Sequence, residues 1–417
     1  MKKSVFLHLN LVLLFFVLVS SSLVAESIDQ SKVKIGILTD HEFTTLRAQS
    51  FSGNWKATFY PPTASESERL VPPAAQTIAN AFIVEGEDMA ISLSRKGVVG
   101  KLSTGREINA GFGKVVLSGG ELISLDVPGS PPVILHGDIE IYINENFLNM
   151  FNTLTMHQYL VSSVSKFANS SEIEALKAFI IMARTRTSYL RENPSHPDHP
   201  YHVCDLEHCI EFSGAGQNRE LIDILVGMTA NKIVTYKDKV IFPRFHNTCG
   251  GKISSAKDLL NLDNEPYHVT QEDRIDNQGS ENCFHSPGFH WSIEIPKLEI
   301  LEFLSITWAG GADRIFTGWD PSAIDATGRI SKVVLRGRRP REISGLEFFD
   351  QAHEYFGPNS LKSMRFSMEV LRRSVIFRGM GQGDGIGLCL YGADGMAKKG
   401  KKYHEILGFY YPGTAIK

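Results

Sequence analysis

Glu174-Ala-Leu-Lys-Ala-Phe-Ile-Ile-Met-Ala-Arg-Thr-Arg-Thr187 is the stretch on which the fold turns. Ile173, Leu176, Ile180 and Ala183 recur at helical spacing and Phe179 widens the stripe, which predicts a helix with one face in a core. Ser171 and Glu174 have the capping-box spacing, in which each side chain satisfies a backbone donor orphaned at the helix start. The helix is therefore expected to open at Ser171 and close near Arg191. Just upstream, Tyr159-Leu-Val-Ser-Ser-Val164 belongs to another helix, expected from about Thr155 to Lys166.

Working outward, residues from Val33 to about Val133 form short apolar runs between turn residues: Val33-Lys-Ile-Gly-Ile-Leu38, Asn80-Ala-Phe-Ile-Val84, Ala90-Ile-Ser-Leu93, Lys114-Val-Val-Leu117 and Leu122-Ile-Ser-Leu125. Period-two alternation with Gly, Pro and Asn punctuation reads as strands and hairpins. A strand is expected at Ile139-Glu-Ile-Tyr-Ile143 and a third helix from about Asn218 to Met228. A hairpin turning at Lys237-Asp-Lys239 delivers His246 at its end, apolar strands follow at Val333-Val-Leu335 and Ser374-Val-Ile-Phe377, and a last helix lies near Leu390 to Lys398. This mixture gives an α+β class, with residues 26–133 as a β-rich N-terminal region and 134–417 as a mixed helix/strand core.

The 417 residues are 42% hydrophobic and 10% aromatic, ample for a buried core. Forty-three basic against 46 acidic residues, with no basic block, exclude a nucleic-acid surface and a polybasic membrane patch. Lys2 and Lys3 precede an apolar run from Leu11 to Val19 and small residues up to Ala25, the order of a secretion signal. Counted from Val5, the apolar-leaning stretch approaches the roughly 20 residues of a membrane span, so residues 1–25 read as a signal peptide or a membrane anchor. Either way the rest of the chain is expected in a periplasmic or other extracytoplasmic space, touching a membrane only through an uncleaved N-terminus. The five cysteines, Cys204, Cys209, Cys249, Cys283 and Cys389, are too few for a disulfide-built scaffold and odd in number.

Three constellations could carry chemistry. Cys204-Asp-Leu-Glu-His-Cys209 sets two thiols five positions apart with His208 beside the second, and His196, His199 and His202 lie just upstream. Zinc takes four such ligands in a tetrahedron, and a loop this polar gains order from a metal clip; a disulfide between Cys204 and Cys209, or plain surface histidines, are the other readings. The expected zinc ligands are Cys204, His208, Cys209 and His199, with His196 or His202 as replacements for the last. Arg244-Phe-His-Asn-Thr-Cys-Gly-Gly251 offers an imidazole, an amide and a hydroxyl after a strand, then two glycines that let a backbone approach closely. Hydrogen-bonding groups beside a closely approaching backbone suit a hydroxyl-rich substrate more than a charged one, so His246, Asn247, Thr248, Gly250 and Gly251 are expected substrate-binding residues. Gly379-Met-Gly-Gln-Gly-Asp-Gly-Ile-Gly387 has Ile386 where a dinucleotide loop needs glycine, and it lacks the Lys-Ser/Thr of a phosphate loop. It reads as a tight turn beneath a groove, with Gly383 and Gly385 at the substrate and Asp384 presented between them.

In order and approximate spacing these pieces resemble the stage II sporulation protein D family, also called the SpoIID/LytB or amidase-enhancer family. The resemblance adds Ser286-Pro before Trp291, Tyr391-Gly-Ala393, Tyr403-His-Glu-Ile-Leu407 and the closing Tyr410-Tyr-Pro-Gly-Thr414, and it runs from about Ile35 to the C-terminus. It implies a SpoIID-like core and a peptidoglycan-remodelling protein that binds glycan strands denuded of stem peptides, cuts them as a lytic transglycosylase, and promotes a partner N-acetylmuramoyl-L-alanine amidase in cell division or sporulation. It also implies, for some members, a zinc ion at the cluster matching Cys204, His208 and Cys209. One carboxylic acid suffices for the cleavage: it protonates the glycosidic oxygen, then as carboxylate takes the proton of the muramyl 6-hydroxyl as a 1,6-anhydro ring closes. Here the position matching the family's catalytic Glu is Lys166 or Phe167, within Ser165-Lys-Phe-Ala-Asn-Ser-Ser-Glu172; the family's Gly-His-Gly is Gly383-Asp-Gly385, and its Ser-Gln pair is Cys389-Leu390. Either the acid has moved, with Glu172 and Asp384 nearest, or the chain is a non-catalytic glycan-binding activator of an amidase.

Overall fold

A computed structural model describes residues 28–63, 77–167, 172–206, 208–212, 214–215, 219–275, 279–308, 316–357 and 360–417. The expected signal or anchor over 1–25, and Ser171 of the expected capping box, lie outside the described residues. The fold is α+β, as the mixed pattern implies.

A seven-stranded sheet runs in the order Val203–Cys204, Lys32–Ile37, Phe147–Thr155, Asp138–Asn144, Lys114–Ser118, Trp55–Tyr60, Ala79–Ile83. Its ladders are antiparallel except at the Val203–Cys204 edge, which lies parallel to Ile35–Gly36. A six-stranded antiparallel sheet is ordered Val133–Leu135, Leu122–Asp126, Thr45–Ser52, Asp88–Ser94, Gly97–Leu102, Glu107–Phe112. Burial alternates along the strands, so Val115, Leu117, Ile139 and Ile141 face one core while their neighbours face outward. The seven-stranded sheet draws strands from both sides of residue 133: Lys32 opposes Thr155 and Ile37 opposes Met150. Alternation along a sequence reveals a strand and its buried side but not its partner.

Helix α1 (Met156–Val164) opens on Thr155, whose hydroxyl accepts from the Gln158 N–H while Gln158 reaches back in a capping box. It ends earlier than expected, because the chain tightens into a 3₁₀ turn over Ser165–Phe167. Helix α2 (Ile173–Glu192) starts after Glu172. The Glu174 carboxylate does not turn back to cap it, accepting instead from Lys177 Nζ at 2.9 Å and from the Tyr403 N–H at 3.0 Å. Ala178 to Thr187 are all buried, so α2 is enclosed all round rather than on one stripe. That burial includes Arg184, fully enclosed and held bidentately by Asp29 at 2.6 and 3.3 Å, a pairing that makes an interior guanidinium tolerable.

After α3 (Arg219–Met228), Val234–Tyr236 pairs with Lys239–Val240 across Lys237 and Asp238, both with positive φ, and the chain runs on to the strand Phe245–His246. The polar stretch beyond holds a short helix, α4 (Ala256–Leu260), between the two-residue strands Lys252–Ile253 and Gln271–Glu272, which pair antiparallel. A second core follows, where α5 (Lys297–Trp308) and α6 (Gly345–Phe356) pack Phe303 and Phe348 against Trp319 and Phe377 of two three-stranded sheets. Two guanidiniums lash this core to the Cys249-Gly-Gly251 turn: Arg329 donates to the Cys249 carbonyl at 2.7 Å and Arg365 to that of Gly250 at 2.7 Å. Helix α7 (Leu390–Lys398) is not the last; α8 (Tyr403–Tyr410) follows, its eight residues too short to show a helical period in sequence. Among the described residues no helix is long and apolar enough to cross a membrane.

Candidate functional site

The loop after α2 returns along the first strand, and Asp205 fixes it there by accepting from the Leu38 N–H at 2.6 Å and the Thr39 hydroxyl at 2.7 Å. This brings Cys204 Sγ to 3.2 Å from His208 Nε2, His208 Nε2 to 3.2 Å from His196 Nε2, and His196 Nε2 to 3.4 Å from Cys209 Sγ, all four ligand atoms lying within 4.8 Å of one another. Metal–ligand bonds of about 2.1 Å to nitrogen and about 2.3 Å to sulfur give tetrahedral edges of about 3.3–3.8 Å, so two thiols and two imidazoles here fit a Cys2His2 zinc set. Its fourth member is His196. His199, the expected one, stacks on the Tyr201 ring at 4.9 Å, and His202 accepts the Lys34 N–H on Nδ1 at 3.0 Å. Spacing alone could not choose between histidines three residues apart in a loop whose course is set by Asp205. The hydrogen bond from Cys204, then those of His208 and His196, lower the Cys209 thiol below its ordinary range.

The second feature is a pocket of about 270 Å³. Its walls are Phe167 of the 3₁₀ turn, Phe179 of α2, Ile210 and Glu211 of the Cys/His loop, Phe245, His246 and Asn247, Gln382 of the glycine-rich run and Leu390 of α7. Phe167 and Phe245 both meet Phe179 edge-on, at 4.8 and 5.8 Å, making an apolar wall. Phe245–His246 lies parallel to Leu388–Cys389, and Thr248 exchanges backbone hydrogen bonds with Gln382 at 3.0 and 2.7 Å. The glycines allow this closeness: a Cβ on Gly383 would stand 2.9 Å from that of His246, and one on Gly385 would lie 2.1 Å from the Arg329 guanidinium.

His246 is 4% exposed, and its Nδ1 meets the Ile386 carbonyl at 3.0 Å. That carbonyl can only accept, so the proton sits on Nδ1, while burial lowers the imidazole pKa and keeps the ring neutral. Nε2 is then an acceptor, and it is a buried atom with no hydrogen-bond partner. Of the other expected binding residues, Asn247 also lines the pocket. Thr248 is fully buried, its hydroxyl shared between Asn247 Oδ1 and Ser286 Oγ, and Gly250, Gly251, Gly383 and Gly385 do not line the pocket.

Residues 144–236 match the family described as stage II sporulation protein, SpoIID. Over that segment the chain is similar to the stage II sporulation protein D family. It is 28% identical over 192 residues to stage II sporulation protein D of Bacillus subtilis, covering 46% of this chain and 49% of that one. The protein of the same name from Bacillus amyloliquefaciens is 24% identical over 307 residues, 70% of this chain and 82% of that one. An uncharacterised protein of Brachyspira hyodysenteriae is 26% identical over 300 residues, 71% and 73% of the two chains.

In this SpoIID-like chain the matched segment contains α1, α2, the Cys/His loop and the pocket residues Phe167, Phe179, Ile210 and Glu211. The connection in which the resemblance sets the family's acid reaches the pocket with Phe167, an aromatic ring. Neither Glu172 nor Asp384 lines the pocket. Glu172 sits outside it at the N-cap of α2, its N–H held by Asp394 at 2.7 Å, and Asp384 accepts the Ile386 N–H at 3.0 Å on the Nδ1 side of His246, 4.0 Å away. The carboxylate lining the pocket is Glu211, which nothing in the spacing of the polar Cys/His stretch singles out. Its one signal was proximity, two residues beyond Cys209.

Proposed function

We propose that the chain acts outside the cytoplasm in cell-wall remodelling, holding peptidoglycan glycan strands denuded of stem peptides in the pocket beside His246. The observation that carries this reading is the unpartnered, buried His246 Nε2 of a pocket that also offers Asn247, Gln382 and Glu211 against an aromatic wall. A sugar presents hydroxyl donors to such acceptors and its apolar ring face to such rings, and a hydroxyl on Nε2 would remove the cost of leaving that atom unsatisfied. Zinc at His196, Cys204, His208 and Cys209 fits as a structural ion with no open position, fixing the loop that carries Ile210 and Glu211 into the pocket.

Glu211 is our candidate acid for cleavage to 1,6-anhydro-muramyl ends, giving its proton to the glycosidic oxygen and then accepting one from the 6-hydroxyl. The second reading, a glycan-binding activator of an amidase that does not itself cut, is favoured by Phe167 at the family's acid position. Pull-down on purified glycan tests the shared part. Denuded strands should be retained in preference to intact peptidoglycan, and His246→Ala should weaken retention; equal retention of the two materials would remove the proposal.

A further inference from the structure

Cys249, Asp273, Cys283 and Cys389 come together from three segments far apart in the chain, and none of them belongs to the pocket or to the Cys/His loop. Cys249 lies in the Cys-Gly-Gly turn, Asp273 and Cys283 flank the loop that follows α4, and Cys389 is the N-cap of α7. All four are fully buried, and one ligand atom from each falls within 4.8 Å of the rest: Cys249 Sγ is 3.0 Å from Asp273 Oδ2 and 3.3 Å from Cys283 Sγ. We propose that this cluster is a second, structural metal site, a Cys3Asp set for zinc or a comparable thiophilic divalent cation.

Three features of the surroundings argue for a ligand set rather than a chance meeting of core cysteines. The first is backbone donation to sulfur: Gly251 N–H points at Cys249 Sγ at 3.3 Å, and the N–H groups of Cys249 and Gly392 point at Cys389 Sγ at 3.3 and 3.2 Å. Such donors favour thiolates, the form that binds metal. The second is the carboxylate: Oδ1 of Asp273 is held by the Tyr410 hydroxyl at 2.9 Å and by Asn282 Nδ2 at 3.1 Å, which leaves Oδ2 turned to the thiols. Partners behind the ligand orient it, as is usual around bound metals. The third is charge: those hydrogen-bonding partners are neutral, and a buried carboxylate among thiols has its charge balanced by pairing or by a metal. Thiolates with one carboxylate suit zinc by ligand softness and number.

A disulfide between Cys249 and Cys283 is the competing use of two of these sulfurs, but it would leave Asp273 and Cys389 without a role. A metal would bind the turn that follows His246-Asn-Thr248 to the start of α7, and so brace one wall of the pocket.

The test is elemental analysis of the full chain purified without chelator, with cobalt titration followed by its thiolate charge-transfer absorbance. We expect about two metals per chain, and about one in a His196→Ala/Cys209→Ser variant that keeps its cooperative unfolding. Cys389→Ser and Asp273→Asn should each remove or weaken only the second equivalent. If either unfolds, the cobalt stoichiometry of the unaltered chain still decides. A Cys249–Cys283 disulfide in a non-reduced digest, or no metal left once His196 and Cys209 are replaced, would overturn the proposal.

Discussion

The guanidinium of Arg186 donates to the carbonyl oxygen of Cys209 at 2.8 Å from the middle of helix α2. The same side chain donates to the carbonyls of His208 at 2.5 Å and Pro243 at 3.1 Å, and it lies over the Phe242 ring at 4.3 Å. One buried residue therefore ties the Cys/His loop to the strand that carries His246. Arg186→Met should cost about 3–5 kcal/mol, because several buried carbonyls lose their donor together. It should also weaken metal retention and glycan binding together. Urea unfolding and metal content measure this; a stable variant with both properties intact would show the linkage to be idle.

The choice of His196 over its neighbours predicts a sharp contrast between three single variants. His196→Ala should lose the metal of the Cys204 and Cys209 cluster, as a missing ligand leaves a structural site open. His199→Ala and His202→Ala should keep it, since one ring stacks on Tyr201 and the other serves the Lys34 N–H. Zinc analysis of the three proteins is decisive, and retention in His196→Ala with loss in His199→Ala would reverse the assignment.

Helices α1, α2, α3 and α7 and the glycine-rich turn were legible because their signals are local. The run Tyr159-Leu-Val-Ser-Ser-Val164, the apolar spacing around Phe179 and the alternating glycines each report their own backbone. The pairing of Lys32–Ile37 with Phe147–Thr155 was not legible, since nothing in one strand names a partner more than a hundred positions away. The pocket was half legible for the same reason. His246 and Asn247 announced themselves beside a Gly pair, whereas Glu211 acquires meaning only once the Cys/His loop is folded against Phe179 and Phe245. The thiols of Cys249, Cys283 and Cys389 likewise read as leftovers until the chain brings them to Asp273.

Two buried histidines make stability fall in mild acid. Burial pushes His268 down to about 3, with Glu265 Oε2 3.5 Å from its Nε2 and the Phe242 carbonyl accepting from it, and burial with Arg219 nearby pushes His136 down to about 4. Above the ordinary histidine value of about 6.5 neither state carries the proton, so stability is flat. Below it the unfolded chain binds protons that the native rings refuse, and stability is lost until pH reaches the lowered values. Each ring removes at most about 1.4 kcal/mol per pH unit, His136 less because part of it is screened by solvent. Urea midpoints should drop from about pH 6.5 to about pH 5, and a His136→Gln/His268→Gln variant should flatten that slope; an unchanged slope in the variant would exclude these two groups as its source.

The last expectation concerns the acid. Glu211 is the carboxylate lining the pocket, beside the Gln382 and Asn247 amides, while Glu172 caps a helix outside it and Asp384 holds the Ile386 N–H. A general acid must reach the glycosidic oxygen through a hydrogen bond, so position decides before proton affinity does. Glu211→Gln keeps the shape and the hydrogen-bonding reach but cannot give up a proton. Release of anhydro-muramyl fragments from denuded glycan should therefore fall by a factor of about 10² to 10⁴ in this variant, with pull-down of the strands unchanged. Glu172→Gln should release fragments like the unaltered protein. If Glu172→Gln abolishes release and Glu211→Gln does not, the acid belongs to the start of α2. Should the unaltered chain release nothing while it still retains denuded strands, the aromatic ring of Phe167 marks a site that has kept its grip and given up its cut. Stimulation of an amidase, indifferent to Glu211→Gln, is then the activity to expect.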